Sequence, residues 1–262
     1  MDQSLSEDMP LDPRENPRIR DGFHRSYDPE LQIHRFWKTI NGEEIFSIHV
    51  TTDFNEEMKK ERGWKRNRAA LKYGIGEIFL DPFGENSLDP WKADPVRQMK
   101  TSINRLPDFF NDIHVPVAIK ANGVGMPIQG SWIRGSLSDD LHDQFLYMRE
   151  LELKSRAILT PEQSSVVEFC PPYALITFPD DEIGERQILI MKRIMDAQPI
   201  DELSQHPTLT SALHGISWTE INMYLQTIGL PVGDLGSENI LYTEDEIASD
   251  KKHYTIIDPL RP

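Results

Sequence analysis

The chain has 262 residues, 38% of them hydrophobic, and 19 prolines, which is enough for one large domain or two small ones with a substantial irregular part. A formal charge of −15 excludes a general nucleic-acid binder, because phosphate contacts need net positive surface. The single cysteine, Cys170, excludes an intrachain disulfide, and the lack of an apolar leader or a long uncharged apolar run predicts a cytoplasmic protein with no membrane span.

Residues 1–35 carry Pro10, Pro13, Pro17 and Pro29 among charges and read as a flexible N-terminal arm. Residues 36–105 read as an extension of unknown role. Within it, Glu44-Ile-Phe-Ser-Ile-His-Val50 alternates as a strand does. The basic run Lys59, Lys60, Arg62, Lys65, Arg66, Arg68 and Lys72 reads as a solvated helix face, with a dock for an acidic partner as the sharper alternative. Residues 81–98, with Pro82, Pro90 and Pro95, read as a linker.

Residues 106–195 and 196–262 form the two remaining segments. Val115-Pro-Val-Ala-Ile-Lys120 predicts a strand ending in lysine, and Gly123, Gly125, Gly130 and Gly135 predict a loop after it. Ser138-Asp-Asp140 supplies a helix N-cap, and that helix should stop near Pro161. Leu146, Glu150, Leu153 and Ala157 fall at i, i+4, i+7 and i+11, which predicts an inward position for Glu150, with Glu152 as its competitor. Val166–Cys170, Tyr173–Phe178 and Gln187–Met191 read as strands, with a turn over Asp180–Gly184. Cys170 reads as a buried small apolar residue, with a reactive thiol as the alternative. Ser217-Trp-Thr-Glu220 is a capping box, Trp218, Ile221, Leu225 and Ile228 form an apolar stripe, and Gly229 and Pro231 end the helix.

Asp234 and Asn239 follow that helix in Gly-Asp-Leu-Gly-Ser-Glu-Asn, and Asp258 follows the apolar run His253–Ile257. Phosphoryl transfer to a hydroxyl uses such a set: one carboxylate receives the hydroxyl proton, while an amide and a second carboxylate hold Mg²⁺ on the phosphates. The eight histidines lack metal-ligand spacing, so no zinc site is expected, and neither a G-x-S-x-G element nor a P-loop occurs.

These motifs, in this order, resemble the protein-kinase-like superfamily over roughly residues 110–262. Val117-Ala-Ile-Lys120 matches the V-A-I-K strand, Asp234-Leu-Gly-Ser-Glu-Asn-Ile-Leu241 is similar to the catalytic loop D-L-K-P-E-N-I-L, and Ile256-Ile-Asp258-Pro259 stands where the family has D-F-G. The resemblance implies an α+β, protein-kinase-like fold. Residues 106–195 would form a β-sheet N-lobe with one αC-type helix, and residues 196–262 a truncated helical C-lobe. It implies an ATP-dependent phosphotransferase moving the γ-phosphoryl of Mg-ATP to a hydroxyl of a protein or small molecule. Lys120 would hold the α- and β-phosphates and Glu150 would pair with it. Asp234 would orient the acceptor and take its proton, and Asn239 and Asp258 would bind Mg²⁺. The backbone from Met191 and Lys192 to Ile194 would contact adenine.

Each residue also has a plainer reading. Lys120 could be a solvated strand-end lysine, and Asp234, Asn239 and Asp258 could be turn residues. Val232 replaces the histidine of phosphotransferases, Gly236 replaces the lysine of serine/threonine kinases, and Tyr73-Gly-Ile-Gly76 is the one candidate phosphate loop. These departures motivate an alternative: a catalytically inactive pseudokinase that binds nucleotide or a partner. A weaker third reading moves another nucleotide-derived group, such as AMP.

Overall fold

A computed structural model describes residues 23–58, 105–112, 114–122, 133–136, 140–164, 167–181, 183–195, 197–199, 218–233, 235–243 and 254–259. The fold is mixed α+β, with a mostly antiparallel sheet and a few helices. The chain divides between two compact units at Ser138/Asp139, Pro172/Tyr173 and Ile190/Met191.

The first unit is built on seven strands: β1 (Phe23–Asp28), β2 (Ile33–Ile40), β3 (Glu43–Thr51), β4 (Val117–Asn122), β5 (Ile133–Ser136), β7 (Pro172–Asp180) and β8 (Gly184–Lys192). Their order across the sheet is β1-β2-β3-β7-β8-β4-β5. Asn41 and Gly42, at φ 53° and 85°, turn β2 into β3 across the pair Ile40 and Glu43. Two left-handed residues in a two-residue loop match the right-handed twist of the paired strands. Alternate residues of the strands, including Phe46, Ile48 and Val50 of β3 and Ala174, Ile176 and Phe178 of β7, face one core. That core is closed by Phe54 and Met58 of the helical segment 52–58 and by Leu106, Phe109 and Phe110 of α1 (Leu106–Asp112). Phe54 stacks on Tyr173 with ring centroids 4.4 Å apart.

Three boundaries differ from the sequence expectation. Residues 23–35, assigned to a flexible arm, contain β1 and the start of β2. Residues 36–51, assigned to a separate extension, share the sheet of β7 and β8. β1 is an edge strand whose outward side chains meet solvent, so it carries no apolar run to announce it. Residues 133–136, read as loop, form β5 parallel to β4. The basic run 59–72, Tyr73–Gly76 and the 81–98 linker lie outside the described residues.

The second unit holds α2 (Leu141–Ile158), α3 (Pro161–Ser164), β6 (Val167–Phe169), β9 (Ala197–Pro199), α4 (Trp218–Thr227), β10 (Ile240–Thr243) and β11 (Tyr254–Ile256). Its sheet runs β6-β11-β10-β9, with β6 parallel to β11 and the other pairs antiparallel. The helix assigned by sequence to an N-lobe of residues 106–195 therefore belongs with the segment assigned to the C-lobe. Tyr147 and Leu151 of α2 share a core with Ile221 and Leu225 of α4, Val232, Leu235, Ile240 and Ile256. The unit is also not simply helical, since four strands cross it.

Asp140 caps α2, its carboxylate accepting from the backbone N–H of His142 (2.9 Å) and Asp143 (3.3 Å). The buried face of α2 runs through Leu141, Phe145, Met148, Glu152 and Ser155. The stripe chosen from sequence, Leu146, Glu150, Leu153 and Ala157, is half-buried to exposed. α2 carries bulky apolar residues on both sides, so periodicity alone did not select its inner face. α4 ends as its glycine and proline predict. Gly229 has φ 81°, its N–H donates to the Gln226 carbonyl (3.2 Å), and the Leu230 N–H donates to the Leu225 carbonyl (2.8 Å). Leu225 and Leu230 are both buried, which completes a Schellman cap.

Candidate functional site

The β10–β11 hairpin sets the two candidate metal ligands side by side. Ile240 pairs with Ile256 and Leu241 with Thr255, and the Ile257 N–H donates to the Asn239 carbonyl at 2.9 Å. Asn239 and Asp258 thus lie one step apart at the hairpin's open end. Before β10 the chain makes a 3₁₀ turn over Ser237–Asn239, closed by the Asn239 N–H on the Gly236 carbonyl at 3.1 Å. The turn is anchored by buried Val232 and Leu235, and by the Tyr147 hydroxyl of α2 donating to the Pro231 carbonyl at 2.7 Å. Asp234, the predicted proton acceptor, lies outside the described residues. The Glu238 carboxylate folds back over Gly236, where any added Cβ would meet it.

Asn239 is 8% exposed, and its buried Oδ1 has no hydrogen-bond partner. An unsatisfied buried acceptor costs about 1–3 kcal/mol, so its persistence asks for an explanation. Asp258 sits at φ 55°, in the left-handed region, and precedes the buried Pro259. Aspartate tolerates that region better than most residues, but a following proline disfavours it. The Gln144 amide of α2 donates to Asp258 Oδ1. An amide oxygen and a carboxylate are hard donors suited to Mg²⁺, which keeps several waters and takes substrate phosphate oxygens for its remaining positions. The donor set fits such an ion. Among the described residues no group of three His, Cys, Asp or Glu converges, as a site completed by water and phosphate does not require one.

Lys120 lies in β4 of the first unit and is only 4% exposed, which rules out the solvated strand-end reading. A lysine buried to that degree has a reason to be there. The Glu150 side chain is 40% exposed and faces Lys154 at 3.7 Å along the same helix. Its predicted inward position is thus corrected. Glu152 is the buried glutamate, and it is held by Arg149 at 2.7 Å and Arg156 at 2.6 Å. Lys120 belongs to the first unit, and Glu150, Glu152, Asn239 and Asp258 belong to the second.

Of the three adenine-contact candidates, Met191 is buried and Lys192 and Ile194 are half-buried. Lys192 is already engaged: its N–H donates to the Pro171 carbonyl (3.0 Å) and its carbonyl accepts from the Cys170 thiol (3.1 Å). The expected backbone donor at Lys192 is therefore spent internally, which leaves Ile194. Cys170 also ties this segment to the hairpin through its N–H on the Ile256 carbonyl at 2.8 Å. Burial pushes its thiol up to about 12. The Lys192 ammonium opposes that rise, while Glu168, Glu152 and Asp258 add to it. Cys170 is thus the buried, inert residue, not the reactive thiol.

Gln144, Tyr147 and the Cys170 clamp escaped the sequence reading. Gln144 did leave a trace, as a polar residue beside Leu141, Phe145 and Met148 on the buried face. Comparison with family models, with curated proteins and with solved structures returned no match. Among the described residues no helix is long and apolar enough to cross a membrane.

Proposed function

We propose that the chain is an ATP-dependent phosphotransferase of protein-kinase-like type, moving the γ-phosphoryl group of Mg-ATP to a hydroxyl acceptor. The observation that carries this reading is the partnerless, buried Asn239 Oδ1 one hairpin step from Asp258. Supporting it are the buried lysine of the Val-Ala-Ile-Lys strand and the anchoring of Pro231, Val232 and Leu235 by α2 and the core. In the reading, Asn239 and Asp258 hold Mg²⁺ and Lys120 steadies the phosphates. Asp234 takes the acceptor's proton as its oxygen bonds to the γ-phosphorus, the β–γ bridge breaks and ADP leaves. Such catalysis is positioning and charge neutralisation, so loss of one group should cost orders of magnitude in rate.

The test is phosphate transfer from γ-labelled ATP with Mg²⁺, alone and with candidate protein and small-molecule acceptors. Transfer should vanish in Asp234→Ala and Asp258→Ala; label incorporation that survives both substitutions would falsify the mechanism. A second reading, a nucleotide-binding pseudokinase, draws on the Glu238 carboxylate over Gly236, where the resemblance has a γ-phosphate lysine. A thermal shift with Mg-ATP but no turnover selects it. The absence of any shift points instead to a partner-binding module.

A further inference from the structure

We propose that Gln144 is a positioning residue for a divalent cation held by Asn239 and Asp258, so that α2 sets the geometry of the metal pair. This rests on the metal reading given above. The Gln144 side chain is buried, sits on the inner face of α2, and donates from Nε2 to Asp258 Oδ1 across 114 residues of sequence. That bond fixes one carboxylate oxygen of Asp258 relative to α2.

The choice of residue matters. An amide donates without bringing charge, so it orients the carboxylate without adding a competing cation of its own. An arginine or lysine there would neutralise Asp258 and compete with the cation. The backbone of Asp258 points the same way. Its left-handed conformation before Pro259 is an uncommon state, and such states persist where the surroundings over-determine them. The α2 amide, the buried Pro259 and the hairpin bond at Ile257 are the groups that do so here. α2 is itself fixed to the same loop through Tyr147 and Pro231. A shift of the helix would therefore move both the loop and the carboxylate.

The experiment measures Mn²⁺ affinity by electron paramagnetic resonance on the full chain, for wild type, Asp258→Asn and Gln144→Met. Methionine keeps the length and helix preference of glutamine but cannot donate. We expect Asp258→Asn to lose binding and Gln144→Met to weaken it about tenfold, the scale seen when a ligand's hydrogen-bonding partner is removed. If Asp258→Asn loses binding while Gln144→Met keeps wild-type affinity, the positioning role is refuted and the metal reading stands. If Asp258→Asn binds normally, both are refuted. A second measurement needs no variant: substoichiometric Mn²⁺ should broaden the side-chain amide signals of Gln144 in the NMR spectrum of the native protein. Sharp Gln144 signals at saturating Mn²⁺ would overturn the proposal.

Discussion

Replacing Asn239 by leucine should reverse the stability ranking of variant and wild type according to whether a divalent cation is present. In the cation-free protein Oδ1 is buried without a partner, a desolvation cost of about 1–3 kcal/mol. Leucine removes the orphan acceptor from a buried position, and forfeits any bond made by the amide nitrogen, about 0.5–1.5 kcal/mol. The net gain is about 1 kcal/mol, or roughly 2–4 °C in Tm for a chain of this size. At about a hundredfold excess of Mg²⁺ over its Kd, wild type gains about 2.7 kcal/mol by mass action while the variant gains nothing. Wild type should then be the more stable by about 1–2 kcal/mol. Urea unfolding followed by tryptophan fluorescence, in EDTA and in excess Mg²⁺, reads all four stabilities. A variant less stable than wild type in EDTA would mean that Oδ1 is satisfied after all. An equal Mg²⁺ gain in both proteins would remove Asn239 from the metal site.

Three further outcomes follow from the geometry. Glu152→Ala removes the carboxylate that faces the Arg149 guanidinium, 1% exposed, and should cost about 3–5 kcal/mol in urea unfolding. Glu150→Ala, at an exposed pair with Lys154, should change stability by less than about 0.5 kcal/mol; comparable losses in the two would invalidate the assigned face of α2. Gly229→Ala should cost about 1–2 kcal/mol from backbone strain alone, since φ is 81° and nothing lies within 4 Å of the added Cβ. Retention of wild-type stability would show that the cap is not left-handed. Cys170 should resist thiol reagents in the native protein and label once unfolded. Folding raises its pKa from 9.0 to about 12, so the folded state holds that proton more tightly. Its stabilising contribution is complete below pH 9.0 and fades as pH rises toward 12, which urea titrations across that window will detect.

The parts of this protein that were legible in sequence are those decided within about ten residues. α4 announced itself by the Ile221, Leu225 and Ile228 stripe and by Gly229, because a helix end needs its left-handed cap wherever the helix lies. β3 was visible as an alternation of apolar and polar residues, and β7 and β8 as apolar runs. The burial of Lys120 was not legible, since a lysine at a strand end has the same sequence in water or in a core.

Only the tertiary structure decided which residues share a surface. It enrolled β1 and β2 in the sheet of β7 and β8, because strand pairing is made by backbone groups that carry no sequence mark. It chose Glu152 over Glu150 as the buried acid: the Glu152 carboxylate meets both Arg149 and Arg156 only in a particular rotation of the helix, and both rotations offered leucines. It joined Gln144 to Asp258 across 114 residues, a pairing that no local pattern encodes. Composition and periodicity act over a few turns of chain. The burial that leaves Asn239 Oδ1 without a partner is a property of packing, and it arises only when distant segments close around it.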